Sequence, residues 1–128
     1  MRLMLLGIED VADGREARKR KRHLQKTLYS LQTQAEAKAH QGLGNTDAAR
    51  PLFERSLGIW EAAVGTGHPQ VAVSLDDLAG LLAETGDTAG AVDCLERAIA
   101  IREKALGPDH ALVVETRERR AKLLRGGG

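Results

Sequence analysis

An all-α fold built from stacked helical hairpins is predicted for this chain of 128 residues from three observations. The segment 44–71 returns without gaps as 86–113, an offset of 42 positions. Apolar residues within each copy recur at i, i+3/i+4 and i+7, the period of a helix that is buried on one face. The apolar set is mostly Ala, Leu and Val, with one Phe, one Tyr and one Trp, so the aromatic residues that favour strands are almost missing.

Five helices are expected along the chain, joined by short loops. Their approximate bounds are 16–41, 47–64, 70–85, 89–106 and 111–125. No segment alternates between apolar and polar residues over a useful length, so no strand is expected. No apolar run approaches the ~20 residues that a membrane-spanning helix needs.

The first predicted helix starts in a basic segment, residues 15–26. This segment holds seven Lys or Arg and one Glu, a charge of +6, whereas residues 1–14 sum to −2 and residues 27–128 to −3. The seven cations are Arg15, Arg18, Lys19, Arg20, Lys21, Arg22 and Lys26. Such a block is typical of nuclear import signals and of contacts with nucleic-acid backbones or anionic membranes. It is also typical of a solvated helix start, and both interpretations stay open.

The second and fourth helices are the two copies of one repeat element. Their predicted buried faces are Ala49, Phe53, Ser56, Leu57 and Trp60 in the first copy, and Ala91, Leu95, Ala98, Ile99, Ile101, Arg102, Ala105 and Leu106 in the second. Asp47 and Asp87 are expected to cap the helix starts, and Pro51 to fall in the first turn, where a missing N–H costs least. Gly65 and Gly107 are expected to end the two helices.

The third and fifth helices lie between and after these copies. The third is predicted to bury Val71, Leu75, Leu78, Ala79 and Leu82. The fifth carries Arg117 and Arg120 where apolar side chains would be expected. It is therefore predicted to cap the C-terminal end of the stack, as the long first helix caps the other end.

The predicted organisation is one helical repeat domain with short flanking segments. The divisions are an N-terminal segment 1–14, a repeat domain 15–125 made of repeats at about 30–69 and 70–111 and a half repeat 112–125, and a flexible Gly tail 126–128. About three repeats are usually needed for a stable stack, and this chain has about two and a half. Capping by the terminal helices, membership of a longer array, and self-association are three ways to satisfy that need.

The spacing in residues 75–98 resembles the tetratricopeptide repeat (TPR). The matching residues are Leu75, Leu78, Ala79 and Leu82, which give L-x-x-L-A-x-x-L, followed by Ala91, Leu95 and Ala98. The 42-residue period and the phrases PLFERSLGIWE and REKALGPDHALV are similar to the kinesin-light-chain-like subfamily. The resemblance covers residues 30–125, is weak before residue 44, and implies a TPR-like α-solenoid of antiparallel hairpins. Its first helix matches the pattern only at Thr33, Glu36, Ala37 and His40.

The resemblance also implies a concave groove that holds a peptide and is lined by the first helix of each hairpin. By register, the candidate groove residues are Gln34, Lys38, Val73, Asp76, Asp77, Gly80, Arg119 and Lys122. Asp76 and Asp77 stand where the family often has Asn-Asn, and an ionised Asp only accepts hydrogen bonds. The middle of the groove is therefore expected to prefer ligand donors such as Lys or Arg. Arg119 and Lys122 are expected to form a nearby subsite for an anionic group of the ligand. The alternative is that these are solvated surface charges.

Catalytic and metal-binding constellations are missing from the sequence. Ser30, Ser56 and Ser74 have no His–Asp partners at an interpretable spacing, and no phosphate-binding loop is present. Cys94 lies in a helical stripe, where a structural thiol is expected. His68 and His110 are equivalent positions in two loops, where turn hydrogen bonds explain them better than metal binding. No metal and no cofactor are expected.

The expected function is that of a non-enzymatic protein–protein interaction or scaffold module with a TPR peptide-binding groove. The expected partner is another protein or a peptide. Two alternatives stay open: binding of nucleic acid, another anionic polymer or an anionic membrane through residues 15–26, and self-association as a structural repeat fragment. A single cysteine suits a reducing compartment. The expected location is the cytoplasm, with the nucleus as the alternative that the basic segment suggests.

Overall fold

The computed structural model describes the backbone of residues 2–126 and the side chains of residues 14–126. Within this part the chain forms five helices: α1 (Arg2–Gly42), α2 (Thr46–Val64), α3 (Pro69–Glu84), α4 (Thr88–Leu106) and α5 (Ala111–Gly126). Each helix packs on the next one along the chain, so α1–α2 and α3–α4 are hairpins and α5 is the first half of a third. The predicted all-α hairpin stack is confirmed.

The helix bounds agree with the sequence prediction within two residues except at the first helix. α1 begins at Arg2 and not near residue 16, so the basic segment continues in one helix with the residues before and after it. The sequence prediction misses residues 2–15, which include Gly7 and Gly14, because glycine is unfavourable in a helix interior. Of the predicted Gly tail, Gly126 belongs to α5 and residues 127–128 lie outside the described residues.

The core lies between the hairpin helices and follows the repeat pattern closely. The buried residues of α2 are the five that the stripe predicts, and all seven residues of the TPR spacing in α3 and α4 are buried. The prediction is wrong for Ala105 and Leu106, which are exposed. Both lie in the last turn of α4, directly before the chain turns away at Gly107, whose φ of 91° suits glycine alone.

The start of α4 agrees with the prediction, whereas the start of α2 differs from it in two details. Asp87 caps α4 as expected, and its Oδ1 accepts a hydrogen bond from the N–H of Gly90 at 2.9 Å. The residue before α2 is Asn45, the repeat equivalent of Asp87, and not Asp47; the side chain of Asn45 makes no capping hydrogen bond. Pro51 consequently lies in the second turn of α2, where it removes one intrahelical hydrogen bond.

Two buried serines join α1 to α2. The hydroxyl of Ser30 donates to the carbonyl oxygen of Ser56 at 2.9 Å, and the hydroxyl of Ser56 donates to the carbonyl oxygen of Ser30 at 3.1 Å. The small side chains let the two backbones approach, and the reciprocal hydrogen bonds satisfy both hydroxyl groups. This pair also fixes the register of the first hairpin, because it sets residue 30 opposite residue 56.

Candidate functional site

The predicted groove residues of α1 and α3 meet at Asp77. Its Oδ2 accepts a hydrogen bond from Nε2 of Gln34, and the ammonium of Lys38 lies 3.7 Å from the same oxygen. Gln34 is buried, whereas Lys38 is exposed. One turn earlier on α3, Val73 is exposed. One polar contact between neighbouring hairpins therefore joins three predicted groove residues: Gln34, Lys38 and Asp77.

Asp76 joins α3 to both later helices. Nη2 of Arg102 in α4 lies 2.5 Å from its Oδ2, and Nη1 of Arg119 in α5 lies 3.4 Å from its Oδ1, an ion-pair distance without hydrogen-bond geometry. Arg102 is 7% exposed and also donates to the hydroxyl of Thr116 at 2.9 Å. The side chains Arg102, Asp76, Thr116 and Arg119, here called the Arg102 network, thus connect three helices.

Sequence reasoning placed Arg102 on the buried face of α4 but did not identify its partners. The signal was present in the repeat, because the equivalent position in α2 is Trp60, which is also buried. A charged side chain that replaces a buried indole requires an opposite charge nearby, and Asp76 lies on the adjacent helix.

The two carboxylates that were expected to receive a ligand are already paired within the chain. Asp76 is held by Arg102, and Asp77 by Gln34 and Lys38. A cationic ligand group would have to displace these side chains, so the physical basis for a preference for Lys or Arg in the middle of the groove is weakened.

A cavity of about 450 Å³ lies between α3 and α5. Its lining residues are Ala79, Gly80, Ala83, Thr88, Arg119, Lys122, Leu123 and Gly126. It brings together the predicted groove residues Gly80, Arg119 and Lys122, and the last two are exposed cations over a largely apolar floor. A Cβ added at Gly80 would meet no atom within 4 Å, so the missing side chain keeps this space open.

The basic segment is a second and separate candidate surface. All seven of its predicted cations are exposed on α1, and Lys19 lies 3.6 Å from Glu16 on the same helix. None of the seven lines the cavity between α3 and α5. The structure therefore divides the predicted site residues into two groups, one across α1, α3 and α5 and one along the start of α1.

The two loop histidines have the structural role that the sequence predicts. Nδ1 of His68 accepts a hydrogen bond from the N–H of Gln70 at 3.0 Å, and Nδ1 of His110 accepts one from the N–H of Leu112 at 3.1 Å. Each imidazole caps the start of the next helix. Among the residues that the structure describes, no group of three His, Cys, Asp or Glu lies close enough to hold a metal ion. None of the described helices is long and apolar enough to cross a membrane.

Cys94 is half-buried in α4, and its burial raises the pKa of the thiol, while the charge of Arg97 acts in the opposite direction. Because the thiolate is the reactive form, a raised pKa lowers reactivity at neutral pH. We expect the folded protein to react more slowly with Ellman's reagent than the same chain in guanidinium chloride. The pH at which the rate rises should also be more alkaline in the folded state. Equal rates in both states would contradict this assignment.

The comparisons with known proteins agree on one family. The tetratricopeptide repeat model matches residues 29–104, more than half of the chain. Among solved structures 26 chains match. One is a crystal structure of nearly identical TPR-like repeats of a kinesin light chain candidate from Podosopora anserina, with 26% identity and a TM-score of 0.66. The match covers 73% of this chain and 44% of that one, so this chain spans less than half of its length. No curated protein matches.

Proposed function

The chain belongs to the tetratricopeptide repeat family, and we propose that it is a non-enzymatic interaction module that binds a peptide across α1, α3 and α5. Repeats of this family are in general protein–protein interaction modules. The finer proposal, a peptide ligand on this face, rests on the cavity between α3 and α5. This cavity combines open volume, an apolar floor and two exposed cations in the register that the repeat assigns to the groove.

The chemistry of the cavity favours an acidic group on the peptide. The cations Arg119 and Lys122 are exposed at the cavity, and Arg119 shares Asp76 with Arg102, since its Nη1 lies 3.4 Å from Oδ1 while Arg102 holds Oδ2. A ligand carboxylate would therefore gain charge-assisted hydrogen bonds from side chains that the fold does not fully use. The apolar floor of Ala79, Ala83 and Leu123 would accept a small aliphatic neighbour of that acidic residue.

The test is selection of a phage-displayed random peptide library on the wild-type protein, followed by fluorescence anisotropy with the enriched peptides. We expect the enriched peptides to contain Asp or Glu. Arg119→Gln combined with Lys122→Glu should weaken their binding at least about tenfold, since a charge-assisted hydrogen bond contributes ~1.5–3 kcal/mol and 1.4 kcal/mol corresponds to a factor of ten. Gly80→Leu should weaken binding by filling the cavity.

The matched control is Arg55→Gln combined with Lys104→Glu, which makes the same change of charge at exposed positions of α2 and α4. It should bind the peptides as the wild type does. Enriched peptides without acidic residues, or equal binding to both double variants, would refute the proposed site. Asp76 is unsuitable for such a test because its substitution breaks the pair with Arg102 and so disturbs the fold.

A further inference from the structure

We infer that the basic segment of α1, residues 15–26, docks in the major groove of duplex DNA through contacts with the phosphates. This inference is independent of the peptide cavity, because the two surfaces share no residue. It rests on three properties of the segment: it is helical throughout, its residues 15–21 project past the end of α2, and it carries cations on every side.

The segment has a defined length and a defined register against α2. α1 is helical throughout residues 15–26, which at ~1.5 Å per residue gives a length of about 17 Å. The Ser30–Ser56 pair sets the antiparallel register of α1 and α2. Counting from that pair, the last residue of α2, Val64, is level with Arg22. Residues 15–21 therefore lie beyond the end of α2, where a large partner can reach them.

The cations point in all directions around this rod. Arg15, Lys19, Arg22 and Lys26 follow one another at i, i+4, i+7 and i+11 and so share one face. The other three, Arg18, Arg20 and Lys21, lie on the remaining sides. At ~100° per residue, no sector of the helix wider than about 100° lacks a cation. All seven side chains are exposed, and the one carboxylate of the segment, Glu16, lies beside Lys19.

This distribution fits a groove better than a flat membrane surface. A helix that lies on a bilayer buries an apolar face and turns one cationic face to the headgroups. The basic segment has only Ala17 and Leu24 as apolar residues, and Leu24 is 57% exposed. A helix with its side chains is ~10–12 Å across, and the major groove of B-DNA is about 12 Å wide with phosphates along both walls. A cylinder with cations on all sides can contact both walls at once.

Duplex RNA and sequence-specific reading of DNA fit the basic segment less well than the phosphates of a DNA major groove. The major groove of A-form RNA is deep and too narrow for a helix, so an RNA duplex would contact only part of the segment. Base reading needs side chains that pair with base edges, and the cations of the segment are suited to phosphates. The expected binding is therefore independent of DNA sequence and strongly dependent on salt.

The experiment is fluorescence anisotropy of the full chain with a labelled DNA duplex of two helical turns. The RNA duplex of the same sequence and vesicles of equimolar phosphatidylcholine and phosphatidylserine are measured in parallel, between about 50 and 200 mM salt. With about five phosphate contacts, the slope of log K against log salt should be about −4.5, since each contact contributes ~0.9. The RNA duplex and the vesicles should bind at least tenfold more weakly than the DNA.

The deciding variant is Arg15→Gln with Arg18→Gln and Lys21→Gln, three cations beyond the end of α2, and it keeps the Lys19–Glu16 pair. The slope should become shallower by about 2.7 for three lost contacts. The control variant, Arg55→Gln with Lys104→Gln and Arg125→Gln, has the same net charge and should keep the wild-type slope. Circular dichroism would establish that both variants keep the wild-type helix content.

Three results would overturn the inference. One is vesicle binding equal to or tighter than DNA binding, which would indicate a membrane surface as the partner. Another is RNA binding as tight as DNA binding, which would refute docking in the major groove. The third is an equal loss of slope in both triple variants, which would mean that net charge and not the basic segment attracts the DNA. Peptide binding at the cavity should be unchanged by the basic-segment variant.

Discussion

Arg102→Ala is expected to lower the free energy of unfolding by about 3 kcal/mol, as measured by urea denaturation followed by circular dichroism. Removal of one partner of a buried ion pair typically costs ~3–5 kcal/mol, because the other charge stays buried without compensation. The lower end applies here because the side chain of Asp76 keeps 19% of its surface exposed and still has Arg119 as an ion-pair partner at 3.4 Å. Thr116 also loses the donor to its hydroxyl oxygen, although it still donates to the carbonyl oxygen of Leu112 at 2.6 Å.

A double variant separates the charge effect from the loss of packing. Arg102→Met with Asp76→Leu removes both charges and keeps apolar volume, and such replacements are often neutral or stabilising. We expect the double variant to recover most of the stability that Arg102→Ala loses. The coupling energy follows from the corresponding thermodynamic cycle. A loss of less than about 1 kcal/mol for Arg102→Ala would mean that water reaches Asp76 and that the Arg102 network contributes little.

In the Arg102→Ala variant the loss of local stability should be largest at α5, because few other contacts hold that helix on the stack. Its buried residues are Val113 and Thr116, and at its start Arg117 contacts Glu103 and donates to the carbonyl oxygen of Pro108 at 3.3 Å. Hydrogen exchange of the Arg102→Ala variant should therefore rise in residues 111–126 before it rises in α2. Since Arg119 and Lys122 lie on α5, the Arg102 network also positions the cations of the proposed peptide cavity.

The fold was predictable because the repeat displays the same helix twice. The stripe of α2 is predicted correctly down to Ser56, whose repeat equivalent Ala98 is also buried. The start of α1 is not predictable in the same way, because residues 2–15 lie outside the repeat and include Gly7 and Gly14, which are unfavourable in a helix interior. The predicted cap of α2 at Asp47 is wrong, although the repeat offset of 42 from Asp87 points to Asn45.

The site was predictable only in part, because its charges interact between helices that are distant in sequence. Register placed Gly80, Arg119 and Lys122 on one surface, and the cavity contains all three. Register did not reveal that Asp76 binds Arg102 or that Asp77 accepts from Gln34. Those contacts depend on how closely the second hairpin packs on its neighbours, which the pattern of one helix does not encode.

Leu95→Ala is expected to lower the free energy of unfolding by about 2–5 kcal/mol. Leu95 occupies the large position of the TPR spacing in α4, is 0% exposed and belongs to the main core cluster. Truncation of such a leucine loses the transfer free energy of its side chain and leaves a cavity that the surrounding helices fill only in part. In a total stability of ~5–15 kcal/mol, typical of small domains, this loss would be a large fraction.

The matched control is Leu28→Ala, the same substitution within helix α1 at a side chain that is 55% exposed. Because Leu28 buries little surface against the protein, its truncation should change the free energy of unfolding by no more than about 0.5 kcal/mol. A repeat stack is held together by contacts between neighbours, so Leu95→Ala should loosen both the α3–α4 hairpin and the packing of α5 on α4. A similar small loss for both variants would show that α4 is not the centre of this core and would contradict the packing described for the second repeat.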